Sequence, residues 1–288
     1  MKAIPDCVPD ALDWILSAAR AISEDDFIHR KVLLTVMARI AEDGDLGSNP
    51  ADVYLHCWEE ACRALGVKDP YENEKARVDK TALGILKTLS DRFPDGGNGL
   101  KWAIQSSLAG AMLDFRGLGR VDVQARATTV FQIPPVLDES PALETAFAKA
   151  ETLMIVTHRA GEIALDRPLV EAAAYRGKRV FLAVSAKPVF LMATENDAEL
   201  VGLPSGVEVV DPGTAMFGLA PDRASSEFRE LLAKVDMVIV KGQVHFTTMA
   251  LEREVFFILR VSEAATAERL GVGVGQGAVI RTPADRRN

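Results

Sequence analysis

From residue 152 to residue 261 the chain repeats one pattern: a short, nearly all-apolar run, then a stretch with helical spacing. The runs cover 153–156, 180–184, 207–210, 237–240 and 255–261. A strand with apolar residues on both faces must be covered on both faces, so helices have to lie above and below it. Five such strands alternating with helices predict an α/β fold. It is a doubly wound, mostly parallel sheet in a three-layer α/β/α arrangement. Local signals agree with this. Thr194-Glu195-Asn196-Asp197 reads as a helix start with an acidic first turn, Gly202 as its end, and Ser225-Ser226-Glu227 as a second start.

The first half has a different rhythm. Apolar residues recur at helical spacing from about Pro9 to Phe131, as in Val53, Leu55, Trp58, Ala61 and Leu65, with Gly66 closing that stripe. Asp69-Pro70-Tyr71 leads into a charged helix over 72–89, and a glycine-rich loop over 95–99 leads into an apolar helix over 100–115. The change of rhythm after Pro134-Pro135 predicts two units. One is an N-terminal helical domain over 1–135, and the other is a Rossmann-like α/β domain over 136–288.

Charge narrows the partners. A net charge of -8 argues against nucleic acid or an anionic membrane as the main partner. No apolar run approaches the roughly 20 residues of a membrane span. The first residues lack the apolar core of a signal peptide, so the expected location is the cytoplasm. The odd cysteine count (Cys7, Cys57 and Cys62) fits a reducing compartment, with Cys57 and Cys62 read as core residues. The glycines of 271–277 are followed by no helix and do not make a dinucleotide-binding turn.

The stretch 153–166 carries the chemistry. An apolar run ends in the polar turn Thr157-His158-Arg159-Ala160-Gly161, and a helical pattern follows from Glu162. Open α/β sheets bind ligands at the carboxyl ends of their strands, which is where this turn falls. The stretch resembles the Asp-Asn-x-Gly-Glu region of the metal-dependent damage-control phosphatases. These form the domain-of-unknown-function 89 family, also described as acidic-residue methyltransferase-like. Ala160-Gly161-Glu162 and Asp166 match that pattern. So do the scaffold around Gly110-Ala111 and Asp114-Phe115, the Asp69-Pro70-Tyr71 turn with Lys75 after it, Asp211-Pro212-Gly213-Thr214, and Lys241-Gly242-Gln243.

The resemblance implies a divalent ion (Mn, Co, Ni or Mg) held by carboxylates and amides at the strand ends. That ion would draw in a phosphate ester and its attacking water. This sequence departs from the pattern at those ligands. The leading Asp-Asn pair is His158-Arg159, the second Asn-Asp pair is Leu191-Met192, and the Asn after the Lys-Gly-Gln turn is His245. The family's Cys-x-x-Cys near the start retains only Cys7, with Asp10 at the second position. No metal ligand and no cofactor are therefore assigned.

What remains points to an anion site without a metal. Arg159, Lys241, His245 and Asp114 are the substrate-binding candidates, and Glu162, His158 and Asp166 the catalytic ones. Arg cannot ligate a dication and offers a fork that matches phosphate or carboxylate. Plainer roles stand beside these. His158 can be a satisfied loop histidine, Arg159 can pair with Glu162 or Asp166, and Asp166 can cap its helix. Met192 can be a core residue, and His245 can join Glu162 and Asp166 as a metal ligand. The expected function is a divergent phosphatase-family protein that acts on or binds a small phosphorylated or carboxylated metabolite. The alternative is a non-catalytic ligand-binding or regulatory protein, or the partner of an active paralogue. Homo-oligomerisation stays open.

Overall fold

The computed structural model describes residues 7–43, 50–93, 99–113, 115, 123–249 and 252–282. Six helices come first: α1 (Cys7–Ile22), α2 (Asp26–Asp43), α3 (Pro50–Leu65), α4 (Glu72–Arg92), α5 (Leu100–Met112) and α6 (Val123–Phe131). Strands and helices then alternate: β1 (Leu137–Asp138), α7 (Ser140–Lys149), β2 (Thr152–Val156), α8 (Glu162–Ala174), β3 (Arg179–Ala183), α9 (Glu195–Val201) and β4 (Val207–Val210). The chain continues through α10 (Ser226–Lys234), β5 (Met237–Lys241), α11 (Gln243–Thr248), β6 (Val255–Arg260), α12 (Ala264–Leu270) and β7 (Gly277–Thr282). None of the described helices is long and apolar enough to cross a membrane.

The strands form one sheet in the order β1-β7-β6-β5-β2-β3-β4. All neighbours are parallel except β6 and β7. The five expected strands are present. The sheet also contains β1 and β7, and β1 is too short to carry an apolar pattern of its own. Side chains alternate between two buried faces, as strand geometry requires. Leu153, Ile155, Val180, Leu182, Ile239, Phe256 and Ile258 face one core, while Met154, Val156, Phe181, Val238, Val240 and Phe257 face the other. The first core is covered by α4–α9 and the second by α10–α12.

The helical half does not pack as one unit. Helices α4, α5 and α6 belong to the same core as the sheet, through Val78, Ala82, Ile85, Leu108 and Ala127. Only α1–α3 gather around a separate cluster, which Val189, Phe190, Leu191 and Met192 complete. The change of sequence rhythm at about 135 marks where strands begin, and the cores run across it. Met192 is a core residue there, 1% exposed.

The topology fixes where ligands can approach. From β2 the chain steps outward to β3 and β4, then returns to place β5 on the other side of β2. The loops after β2 and β5 therefore diverge at a topological switch point, the usual ligand crevice of such sheets.

Candidate functional site

The loop after β2 runs from Thr157 to Gly161, and α8 starts at Glu162. Gly161 precedes the helix with φ +81, a left-handed value that favours glycine. A Cβ there would meet the Phe115 ring at 2.9 Å. The turn is thus wedged between Phe115 and Asp79, whose Oδ1 accepts the Gly161 N–H at 2.5 Å.

Across the switch point, Gly242 follows β5 with φ +84. The His158 ring lies directly on it, and a Cβ on Gly242 would come within 2.6 Å of His158 Nδ1. His158 is buried and bonds through Nδ1 to Glu162 Oε1 at 2.8 Å. A carboxylate accepts, so Nδ1 donates and Nε2 of the neutral ring keeps its lone pair. Burial drives the His158 pKa below its usual value, against the pull of the Glu162 charge. Burial pulls Glu162 the other way, but the charge and hydrogen bond of His158, with Lys241 and Arg159, bring it below the ordinary carboxylate range. The pair is best described as an imidazole bonded to a carboxylate. The second oxygen, Glu162 Oε2, is buried without a hydrogen-bond partner.

Lys241 and Asp166 form a second buried pair beside the first. Lys241 Nζ lies 2.9 Å from Asp166 Oδ1, and both side chains are 0% exposed. Nζ also donates to the Ser107 carbonyl at 2.5 Å and to Ser107 Oγ at 2.7 Å. Ser107 Oγ in turn donates to Asp166 Oδ1 at 2.6 Å. Burial raises the Asp166 pKa, opposed by Lys241 and Ser107. Two sequence expectations change here. Lys241 is tied into a closed network under α8 rather than presented to a ligand. Asp166 lies inside α8, after Gly161 and Glu162, so it does not cap that helix.

His245 is also fully enclosed. Its Nδ1 accepts the Leu219 backbone N–H at 2.9 Å. Burial and the neighbouring His158 push its pKa down to about 3, so it is neutral and cannot serve as a cation for an anion. The two rings meet edge to face, with centroids 6.1 Å apart. Arg159 is half-buried, with its guanidinium 5.4 Å from the centre of the Trp14 ring. Asp114 lies outside the described residues.

The two segments where the resemblance would put metal ligands lie side by side. Arg159 and Met192 form an isolated antiparallel bridge. The Ala160 N–H donates to the Leu191 carbonyl, and the Ala193 N–H to the His158 carbonyl, each at 2.9 Å. The donor set at that junction is an arginine, a thioether, an isobutyl group and a histidine already bonded to Glu162. These do not suit a hard divalent ion. Among the described residues no three His, Cys, Asp or Glu side chains converge on a point that could hold a metal. The residues present do not fit the ion that the resemblance implies.

Asp79 and Ser107 are not among the residues expected at the site, and Asp197 is expected there only as part of a helix start. Asp79 had a visible signal, since it falls on the apolar stripe of Val78, Ala82, Ile85 and Leu89 in an otherwise charged helix. Ser107 sits likewise inside the apolar run of α5.

Comparison with known proteins gives a consistent picture. The family model described as the damage-control phosphatase ARMT1-like domain matches residues 3–277. A damage-control phosphatase from Pyrococcus horikoshii is 23% identical over 279 residues, covering 96% of each chain. A damage-control phosphatase from Archaeoglobus fulgidus is 23% identical over 282 residues, covering 96% of this chain and 97% of the other. The crystal structure of a DUF89 family protein from Pyrococcus horikoshii superposes with a TM-score of 0.86 at 23% identity. It covers 98% of this chain and 99% of that one, which shows the fold.

Proposed function

The chain belongs to the ARMT1-like damage-control phosphatase family, and on that premise we propose that it is a divergent member. It binds a small phosphorylated or carboxylated metabolite at the β2 loop without a divalent metal. The observation that carries this reading is the half-buried Arg159 guanidinium, in the loop that ends β2, at a position where the resemblance would put a metal ligand. A guanidinium binds a phosphate or carboxylate directly and bidentately.

The His158–Glu162 pair supports a second reading, hydrolysis of a phosphate ester. A carboxylate that holds Nδ1–H leaves Nε2 as the basic atom and steadies the imidazolium once it forms. In that reading His158 takes a proton from the attacking water and Arg159 holds the phosphoryl oxygens. The closed Lys241–Asp166 pair supports the non-catalytic alternative, because it withdraws one cation from any ligand.

Calorimetric titration with inorganic phosphate tests the first reading. The native protein should bind phosphate in the presence of a chelator, Arg159→Lys should bind it more weakly, and Arg159→Ala should not bind it. Equal affinity in all three refutes the anion site. Turnover of a generic phosphate ester that is lost in His158→Asn would select hydrolysis over binding.

A further inference from the structure

A second cluster of ionisable groups lies on the other side of the Gly161 turn. Helix α4 supplies Lys75 and Asp79, the turn before it supplies Asp69, and α9 supplies Asp197. Lys75 Nζ is 2.7 Å from Asp69 Oδ2 and 3.9 Å from Asp197 Oδ2. Asp197 Oδ2 also accepts the Thr194 N–H and hydroxyl, both at 2.7 Å, closing the capping box of α9. Asp79 is 0% exposed. One of its oxygens takes the Gly161 N–H, and the other, Oδ2, has no hydrogen-bond partner.

Three carboxyl groups thus share one ammonium. Lys75 sits against Asp69 and leans on Asp197, so an ionised Asp79 would be a buried charge without a close counter-ion. One proton on Asp79 removes that charge. Burial and the Asp197 charge push Asp79 up to about 8, although the Gly161 N–H and Lys75 oppose the rise.

We propose that Asp79 is a positioning residue: its hydrogen bond to the Gly161 N–H latches the turn to α4 and so fixes how His158 and Glu162 are presented. Asp79 acts through the backbone of Gly161 and touches no ligand. The charged groups around it are Asp197 on α9, Lys75 on α4 and, through Lys75, Asp69. Glu162 and His158 lie beyond Gly161 and bond to each other. The latch stands on the loop geometry and holds whatever the loop binds.

Asp79→Asn is the decisive variant. Its amide keeps an acceptor for Gly161, as in the protonated acid, and it cannot ionise. Asp79→Ala removes that acceptor. Thermal midpoints are measured from pH 4 to 9.5, together with the ¹⁵N spectrum of the His158 ring. The folded-state pKa lies above the ordinary 3.8, so Asp79 favours folding most at low pH, and that contribution fades between about 4 and about 8. The native midpoint should fall relative to Asp79→Asn across that interval. The His158 Nδ1–H signal should broaden above pH 8 in the native protein, stay sharp in Asp79→Asn and be broadened throughout in Asp79→Ala. Asp79→Asn tracking the native protein in both measurements overturns the proposal, as does an Asp79→Ala spectrum identical to the native one.

Discussion

Lys241→Met should be one of the most destabilising single changes in this protein. The side chain is 0% exposed and its ammonium has three partners: Asp166 Oδ1 at 2.9 Å, the Ser107 carbonyl at 2.5 Å and Ser107 Oγ at 2.7 Å. Methionine fills a similar volume, so packing is nearly conserved and the electrostatic effect is isolated. Removing one partner of a buried pair leaves the other charged and unpaired, which costs about 3–5 kcal/mol. For a chain of this size that corresponds to a fall in Tm on the order of 5–15 °C. Asp166→Asn tests the other side, since its amide still accepts the Ser107 hydroxyl. The double variant should lose less than the sum of the two single losses, by roughly 1–3 kcal/mol, because neither charge is then left alone. Urea unfolding of the four proteins gives the cycle. If Lys241→Met unfolds at the native midpoint but loses phosphate binding, Lys241 is a ligand group and the closed pair is wrong.

The other predictions concern the loop itself. Gly242→Ala forces a side chain into a left-handed conformation and into the His158 ring, for a loss of about 2–4 kcal/mol in chemical denaturation; a native midpoint would mean that the ring does not rest there. Glu162→Gln removes the charge that raises the His158 pKa, so NMR titration should show it falling further below its usual value, and a rise would contradict the pairing. The His245 ring, held near 3, should show no protonation step between pH 5 and 8, whereas a step near 6.5 would mean that it is reached by solvent.

Strands β2, β3, β5 and β6 were legible because they are buried on both faces, which makes each a nearly continuous apolar run, and the edge strand β4 was legible from its three valines although its middle is exposed. The start of α9 was legible because Thr194 and Asp197 form a capping box. The short β1 was not, since two residues that lean on β7 carry no pattern of their own. The boundary expected at about 135 follows from rhythm alone. Rhythm along the chain reports secondary structure, whereas the shared core of α4–α6 with the sheet is a long-range property. At the site, the resemblance marked the positions where it would put metal ligands, and the Arg159–Met192 bridge brings two of them side by side. The residue types could not show which charges would neutralise one another. Lys241 and Asp166 are 75 positions apart by residue number, and only the return of β5 beside β2 brings them into contact.

Metal content is the most direct test of the central claim. The purified protein should be analysed for manganese, cobalt, nickel and magnesium, and assayed on a generic phosphate ester with and without each ion. A metal-independent site requires no stoichiometric metal and no stimulation by any of them. One bound ion per chain with metal-dependent turnover would contradict it, and would mean that His158, Glu162 and the remaining carboxylates rearrange into a rebuilt metal centre.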